Sequence, residues 1–263
     1  MIQNAVIIGA GNLATQLAMV LFQKGITVQQ VYSRTIERAM ALAQKVNDRP
    51  TSELSEVEKG ADIYVIAVKD SAIEEVLKGL TMDKTSLVVH TAGSIPMEVL
   101  APYTGNYGVF YPLQTFSVTR QADFSDIPIC MEASNPEVME KLEQLGYRIS
   151  SSVHSINSEE RKTLHLSAVF VNNFVNHFYV LGAEILSQKG LDFNLLKPLI
   201  RETAQKVEIM HPLNAQTGPA RRMDEQVIGN HLKMLEAQPE WQKIYSFVTE
   251  SIYLHQFKIK NKE

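Results

Sequence analysis

A doubly wound α/β protein with a helical second domain is what this sequence predicts, on three observations. Apolar strand-like runs alternate with helix-period segments over the first half. A glycine-rich turn joins the first run to the first helix. After Ser155 every segment reads as helix. Strands alternating with helices build βαβ units and a parallel sheet. We place the boundary near residue 153, giving 1–153 to the sheet and 154–263 to the helices.

From Asn4 to Ile8 a predominantly apolar run leads to Gly9, a first strand. Leu13, Leu17, Val20 and Leu21 recur at helical spacing, and Gly25 is a natural end for that helix. Thr27, Val28 and Val31 are β-branched, so 27–32 reads as a second strand, with a second helix over 36–46. The run 63–68 is continuously apolar, as a parallel strand covered on both faces requires. A helix follows over 71–80 and a strand over 86–90. From Tyr107 the texture changes to short strands at 108–111, 127–132 and 147–153, joined by segments rich in Pro, Gln and Ser. Asn157, with Glu160 three residues on, carries a capping-box signature and opens a helix expected to reach Gln188. Further helices are expected at 192–210, 220–236 and 240–257, and the charged tail from Lys258 to Glu263 is expected to fray.

Composition excludes several classes. The 263 residues carry 25 basic against 29 acidic side chains, a formal charge of -4. No basic excess or stripe points to nucleic acid. One cysteine leaves no intramolecular disulfide framework. No apolar run approaches the roughly 18–20 residues of a membrane-spanning helix. The expectation is a cytoplasmic protein with neither nucleic acid nor membrane as partner. No H-E-x-x-H and no G-x-S-x-G occurs, the seven histidines are scattered, and no metal is expected.

Gly9-Ala10-Gly11-Asn12-Leu13-Ala14 matches G-x-G-x-x-G/A between a strand and a helix. Gly9 permits the tight turn, Gly11 lets a pyrophosphate approach the backbone, and Ala14 lets the helix pack closely. The first helical turn, Asn12 and Leu13 included, offers free N–H groups to phosphate. The alternative is a vestigial turn in a doubly wound fold. A site selective for NAD carries an acid at the end of the second strand; here stand Ser33, Arg34 and Thr35. A guanidinium fork with two hydroxyls suits a 2′-phosphate, so NADP(H) is the expected cofactor. The alternative is a surface arginine in a turn. Val68 and Lys69 end the next strand on the same edge, where Lys69 either touches phosphate or is solvated. Thr91 and Ser94 flank Gly93 beyond the following strand and can hydrogen-bond nicotinamide or substrate; His90 beside them reads equally as a core histidine.

Two further groups are substrate candidates. Tyr111, Gln114 and Thr115 crowd a phenol, an amide and a hydroxyl between apolar anchors, as a small-molecule pocket does, or else satisfy loop backbone. On the long helix, at 100° per residue, His165, Asn172 and Asn176 share one polar stripe, with Asn173 about 80° away. Buried amides need partners, so the stripe faces a polar ligand or an interhelical network. Gln216, Thr217 and Arg221 lie where a loop enters a helix and can hold a carboxylate or phosphate, or form an ordinary capped turn. Glu202 and Lys206 make an i,i+4 surface pair. Cys130, in a strand, reads as buried and inert.

The first half resembles the nucleotide-binding domain of the pyrroline-carboxylate reductase and β-hydroxyacid dehydrogenase superfamily. The whole chain resembles, more closely, a family of NADP oxidoreductases that pairs a Rossmann-like domain with a helical domain of unknown function, similar to the phosphogluconate dehydrogenase C-terminal domain. The residues that carry the likeness are Gly9 to Ala14, Ser33-Arg34-Thr35, Gly108-Val109-Phe110-Tyr111-Pro112-Leu113-Gln114-Thr115-Phe116-Ser117, Leu164 to His177 and Gln216-Thr217-Gly218-Pro219-Ala220. β-Hydroxyacid dehydrogenases carry a catalytic lysine one turn before an asparagine on this helix; here those positions are Ala168 or Val169, so that reaction does not carry over. The resemblance implies a homodimer through the helical domain.

The expected function is hydride transfer between NADP(H) and a small imine or carbonyl. His165 is the expected proton donor or acceptor, since histidine titrates nearest neutrality. Asn172 and Asn176 orient substrate, and Gln114, Thr115 and Arg221 line the opposite wall. A nucleotide-binding sensor without turnover is the alternative.

Overall fold

The structure, a computed structural model, describes residues 1–260, with side chains to residue 255. Of the tail expected to fray, 258–260 continue the last helix and 261–263 lie outside the described residues. Two compact units emerge, Met1–Asn173 and Phe174–Glu263. The end of strand–helix alternation near residue 153 therefore comes before the point at which the units part.

The first unit is built on eight strands: β1 (Asn4–Ile8), β2 (Thr27–Tyr32), β3 (Arg49–Thr51), β4 (Ile63–Ile66), β5 (Leu87–His90), β6 (Asn106–Pro112), β7 (Ile129–Ala133) and β8 (Val153–Ser155). They form one sheet in the order β3-β2-β1-β4-β5-β6-β7-β8. The first six run parallel, β7 is antiparallel to β6, and β8 is parallel to β7. Order 3-2-1-4-5-6 is the doubly wound Rossmann arrangement, with its switch point between β1 and β4. Alternation along β1 explains the layering. Ala5 and Ile7 enter a core with Leu17 and Leu21, while Val6 and Ile8 enter a second core with Tyr64, Ile73 and Leu77.

Helices α1 (Asn12–Gln23), α2 (Ile36–Val46), α3 (Ile73–Gly79) and α4 (Pro136–Ile149) cover the sheet. The strand expected over 147–153 is corrected: α4 runs through Ile149, and β8 begins at Val153. The side chain of Asn135 accepts the Val138 N–H, Pro136 opens the helix, and Val138, Leu142, Leu145 and Ile149 bury one face. That helical period outweighs the short apolar run at its end. β3 was not expected, because Arg49-Pro50-Thr51 is brief and holds a proline that only an edge strand tolerates.

Helix α5 (Ser158–Ala168) opens as the capping box requires. Asn157 accepts from the Glu159 and Glu160 N–H groups, and the Glu160 carboxylate accepts the Asn157 N–H at 2.8 Å. The expected uninterrupted α-helix is corrected next: Val169–Phe174 is a π-helical segment, and α-helix resumes as α6 (Val175–Ser187).

The second unit continues with α7 (Lys197–Ile209), α8 (Pro212–Ala215), α9 (Pro219–Arg222), α10 (Glu225–Met234) and α11 (Pro239–Lys260). The helix expected over 220–236 is split, because Met223 takes a left-handed conformation at φ 49° and Asp224 caps a new start. Among this unit's described residues, the buried hydrophobics are Ala220 and Leu235. No described helix is long and apolar enough to cross a membrane.

Candidate functional site

Two loops meet at the switch point, after β1 and after β4. Gly9 sits there at φ 129°, and a Cβ on it would lie 2.3 Å from the Ala67 carbonyl oxygen. Its N–H donates to the Tyr32 carbonyl at 2.8 Å. Gly9 is therefore required by the fold. Gly11 is different. Its φ is an ordinary -81°, and a Cβ there would meet nothing within 4 Å. Neither backbone strain nor internal packing calls for glycine at 11. Gly11 is also the N-cap of α1, which has no side-chain cap and no acid in its first turn. The result is an open, uncapped helix N-terminus of positive polarity. Asn12 uses its side-chain amide on the Phe116 carbonyl at 2.9 Å, so it and Leu13 offer backbone N–H groups.

Ser33, Arg34 and Thr35 follow β2. The Ser33 hydroxyl accepts the Thr35 N–H at 3.3 Å, and Arg34 is exposed. Among the described residues neither Arg34 nor Arg38 takes part in an ion pair. A cleft of about 320 Å³ opens beside the start of α1, lined by Gly11, Asn12, Thr15, Arg38, Lys45 and Val118. Arg38 and Lys45 were missed in the sequence, although an arginine four residues after Arg34 was a visible signal. Val68 is half-buried and Lys69 exposed after β4. Thr91 is buried, its N–H on the Ile66 carbonyl at 3.2 Å. The Ser94 hydroxyl donates to the Asp70 carboxylate.

A second cleft in the same unit, of about 400 Å³, brings together Tyr111, Gln114, Thr115, His165, Asn172 and Asn173. The Tyr111 hydroxyl lies 3.1 Å from His165 Nδ1, with the two rings edge to face. Leu164 packs on the small core of Val109, Tyr111 and Cys130, which seats the helix on the sheet. Gly93 completes the fit, since a Cβ there would come within 2.5 Å of His165 Nδ1. Burial pushes the Tyr111 phenol above its ordinary pKa, with Cys130 and Asp70 adding to the rise and Arg161 opposing it. The α-helical projection set Asn173 off the stripe; the π segment corrects it. An i→i+5 turn advances fewer degrees per residue than an α-turn, so Asn172 and Asn173 both reach the cleft wall.

Other candidates resolve differently. His90 is a core histidine, wholly buried, with its Nδ1 accepting the Ala92 N–H. Burial of Cys130 raises its thiol pKa, which fits an inert side chain. Asn176 is an exposed residue of α6 in the second unit. There Arg221 donates to the Gln216 carbonyl at 2.6 Å and the Gln216 amide to the Thr217 carbonyl at 2.9 Å, closing the loop on itself. Thr217 also borders an apolar cavity of about 390 Å³ with Phe178, Leu181, Trp241 and Tyr245. Glu202 and Lys206 form an exposed i,i+4 pair at 3.5 Å.

A glycine turn at the switch point of this sheet, with helices after it, defines a Rossmann-like protein. Comparison with known proteins takes this further. Residues 4–93 match the family described as NADP oxidoreductase coenzyme F420-dependent, and 127–252 match a domain of unknown function, DUF2520. A putative NADP oxidoreductase from Bacteroides fragilis is 49% identical, over 95% of this chain and 98% of its own, with a TM-score of 0.93. The chain belongs to that NADP oxidoreductase family. Two more distant structures share the fold. One is a protein from Thermotoga maritima, 23% identical over 97% of this chain and 99% of its own, TM-score 0.72. The other is an imine reductase from Myxococcus stipitatus in complex with NADP+, 16% identical over 98% and 94%, TM-score 0.65. No curated protein matches the chain.

Proposed function

We propose that the chain binds NADP(H) across the carboxyl ends of β1, β2 and β4 and transfers hydride to or from a small imine or carbonyl compound. The observation that carries this is Gly11: a glycine with no internal reason to be one, at an uncapped helix N-terminus, leaves room for a diphosphate. Ser33, Arg34 and Thr35 are assigned to the 2′-phosphate, and Arg38 adds a second guanidinium nearby. Bound NADPH supplies the hydride. His165 is assigned the proton, and the Tyr111 phenol holds its Nδ1 whether the ring is neutral or charged, because a hydroxyl both donates and accepts. Gln114, Thr115 and Asn172 orient the substrate. On this reading residues 1–153 serve the nucleotide, and the helices from 154 serve substrate and assembly.

The same reading includes a homodimer. A unit of helices that buries Ala220 and Leu235 while exposing Phe247, Leu195 and Ile209 has large apolar faces to cover. We assign a second copy of the same surface as the occupant, in the isologous arrangement common among homodimers.

Calorimetric titration with NADPH and NADH tests the cofactor assignment. NADPH is expected to bind more tightly, and Arg34→Ala to remove about 10- to 100-fold of that preference, the worth of charge-assisted hydrogen bonds to a phosphate. Equal affinities in the parent protein would refute it. Ala168 and Val169, where related dehydrogenases place a lysine, favour the second reading, a nucleotide sensor without turnover. NADPH oxidation against a panel of imines and keto acids separates the two.

A further inference from the structure

We infer that Arg161 is a positioning residue for the Tyr111–His165 pair, acting through its buried fork with Glu132. The inference rests on the proton role proposed for His165. Arg161 has a wholly buried side chain on α5, one turn before His165 and on the same helix face. Its guanidinium ties three pieces of backbone together. Nη1 donates to the Glu132 carboxylate on β7. Nη2 donates to the Ile95 carbonyl at 2.6 Å and to the Ser158 hydroxyl at 3.1 Å. Glu132 returns the hold on the helix, its Oε1 accepting the Ser158 N–H at 2.9 Å and its Oε2 the Ser158 O–H at 2.7 Å.

These anchors coincide with the surfaces His165 rests on. Tyr111 pairs with Cys130 across β6 and β7, two residues from Glu132. Gly93, against which the imidazole packs, lies two residues before Ile95. One guanidinium therefore references the helix to both β7, the strand paired with the one that carries Tyr111, and the loop that carries Gly93. Stability is a poor reason for such a pair. Desolvation offsets most of the attraction in a buried ion pair, and a well-packed apolar replacement is often as stable. A rigid planar fork with directional donors is what a positioning role requires, and lysine cannot supply it.

The test uses the full chain and the ¹⁵N shifts of the His165 ring, read at a pH where imidazole is neutral, which report its tautomer. One tautomer is expected to dominate in the parent, and Tyr111→Phe is expected to abolish that preference. The apolar double variant Arg161→Met/Glu132→Met keeps the volume filled, Glu132→Gln keeps the shape, and Arg161→Lys keeps the charge. Each folded variant is expected to lose the tautomer preference as Tyr111→Phe does, with NADPH affinity within about twofold of the parent's. Parent-like ring shifts in any of them overturn the inference. So does loss of the preference together with loss of NADPH affinity, which marks general disruption. A parent that binds no NADPH defeats the proposed function instead, and leaves the ring shifts to decide the positioning.

Discussion

His90 shows how much a single side chain depends on its surroundings. Burial, and then the Arg161 charge, lower its pKa from 6.5 to about 4; the Pro96 backbone and the Asp70 and Glu132 carboxylates pull the other way. The folded protein therefore holds the ring neutral. As pH falls through 6.5 the unfolded chain takes up a proton that the folded chain refuses until about 4, so stability is lost over that window and no further below it. The loss is on the order of 3 kcal/mol. Urea unfolding at neutral pH and at about pH 4.5 should show the parent losing about 2 kcal/mol more than His90→Gln does. Equal losses would contradict the assignment. The same residue marks a limit of reading in one dimension. His90 and His165 are the same amino acid in apolar company, and the sequence left His90 open as core or site. One is sealed at the carboxyl end of β5, an interior strand of the sheet, and the other half-exposed in a cleft, because strand and helix present their side chains to different neighbours.

Elements bring their own logic, clearest in the strap that follows β6. Gln16 lies inside α1 and is buried. Its amide donates to the Ser117 carbonyl at 2.7 Å and the Arg120 carbonyl at 3.0 Å, and its carbonyl accepts the Ala122 N–H at 2.9 Å. Asn12 adds the Phe116 carbonyl one turn earlier. A separation of 101 to 106 residues is thus closed by two amides on one helix face. Gln16→Leu leaves three backbone groups of the strap without their partner and is expected to cost about 1–3 kcal/mol. It should also speed amide exchange over 116–122, measured by mass spectrometry. An unchanged exchange rate there would show that the strap is held by other means. Nothing in the spacing of α1 announced this role, since Gln16 falls on a helix position that reads as neutral. The π segment was equally hidden, because its apolar residues and two asparagines are compatible with ordinary helix.

For the molecule as a whole, the two units differ in how far they satisfy themselves. The sheet unit buries alternate faces of β1 in two separate cores. The helical unit leaves Phe247 74% and Ile209 81% exposed. Analytical ultracentrifugation should therefore find a dimer of the 29.5 kDa chain at micromolar concentration, and Phe247→Asp should shift it toward monomer. A parent protein that sediments as a monomer under those conditions removes the homodimer from the proposal.

Local pattern was enough for β1, β2, β4, β5 and β6, the glycine turn, the capping box at Asn157 and the loop that follows Pro112. Each of these is written in neighbouring residues, where steric rules and hydrogen-bond chemistry act over a few positions. The meeting of Tyr111 with His165, the bite of Gly93 on that ring, the Arg161–Glu132 fork and the arrival of Asn173 in the cleft were settled by packing. They join residues up to 72 positions apart, and no periodicity along the chain encodes a distance across it.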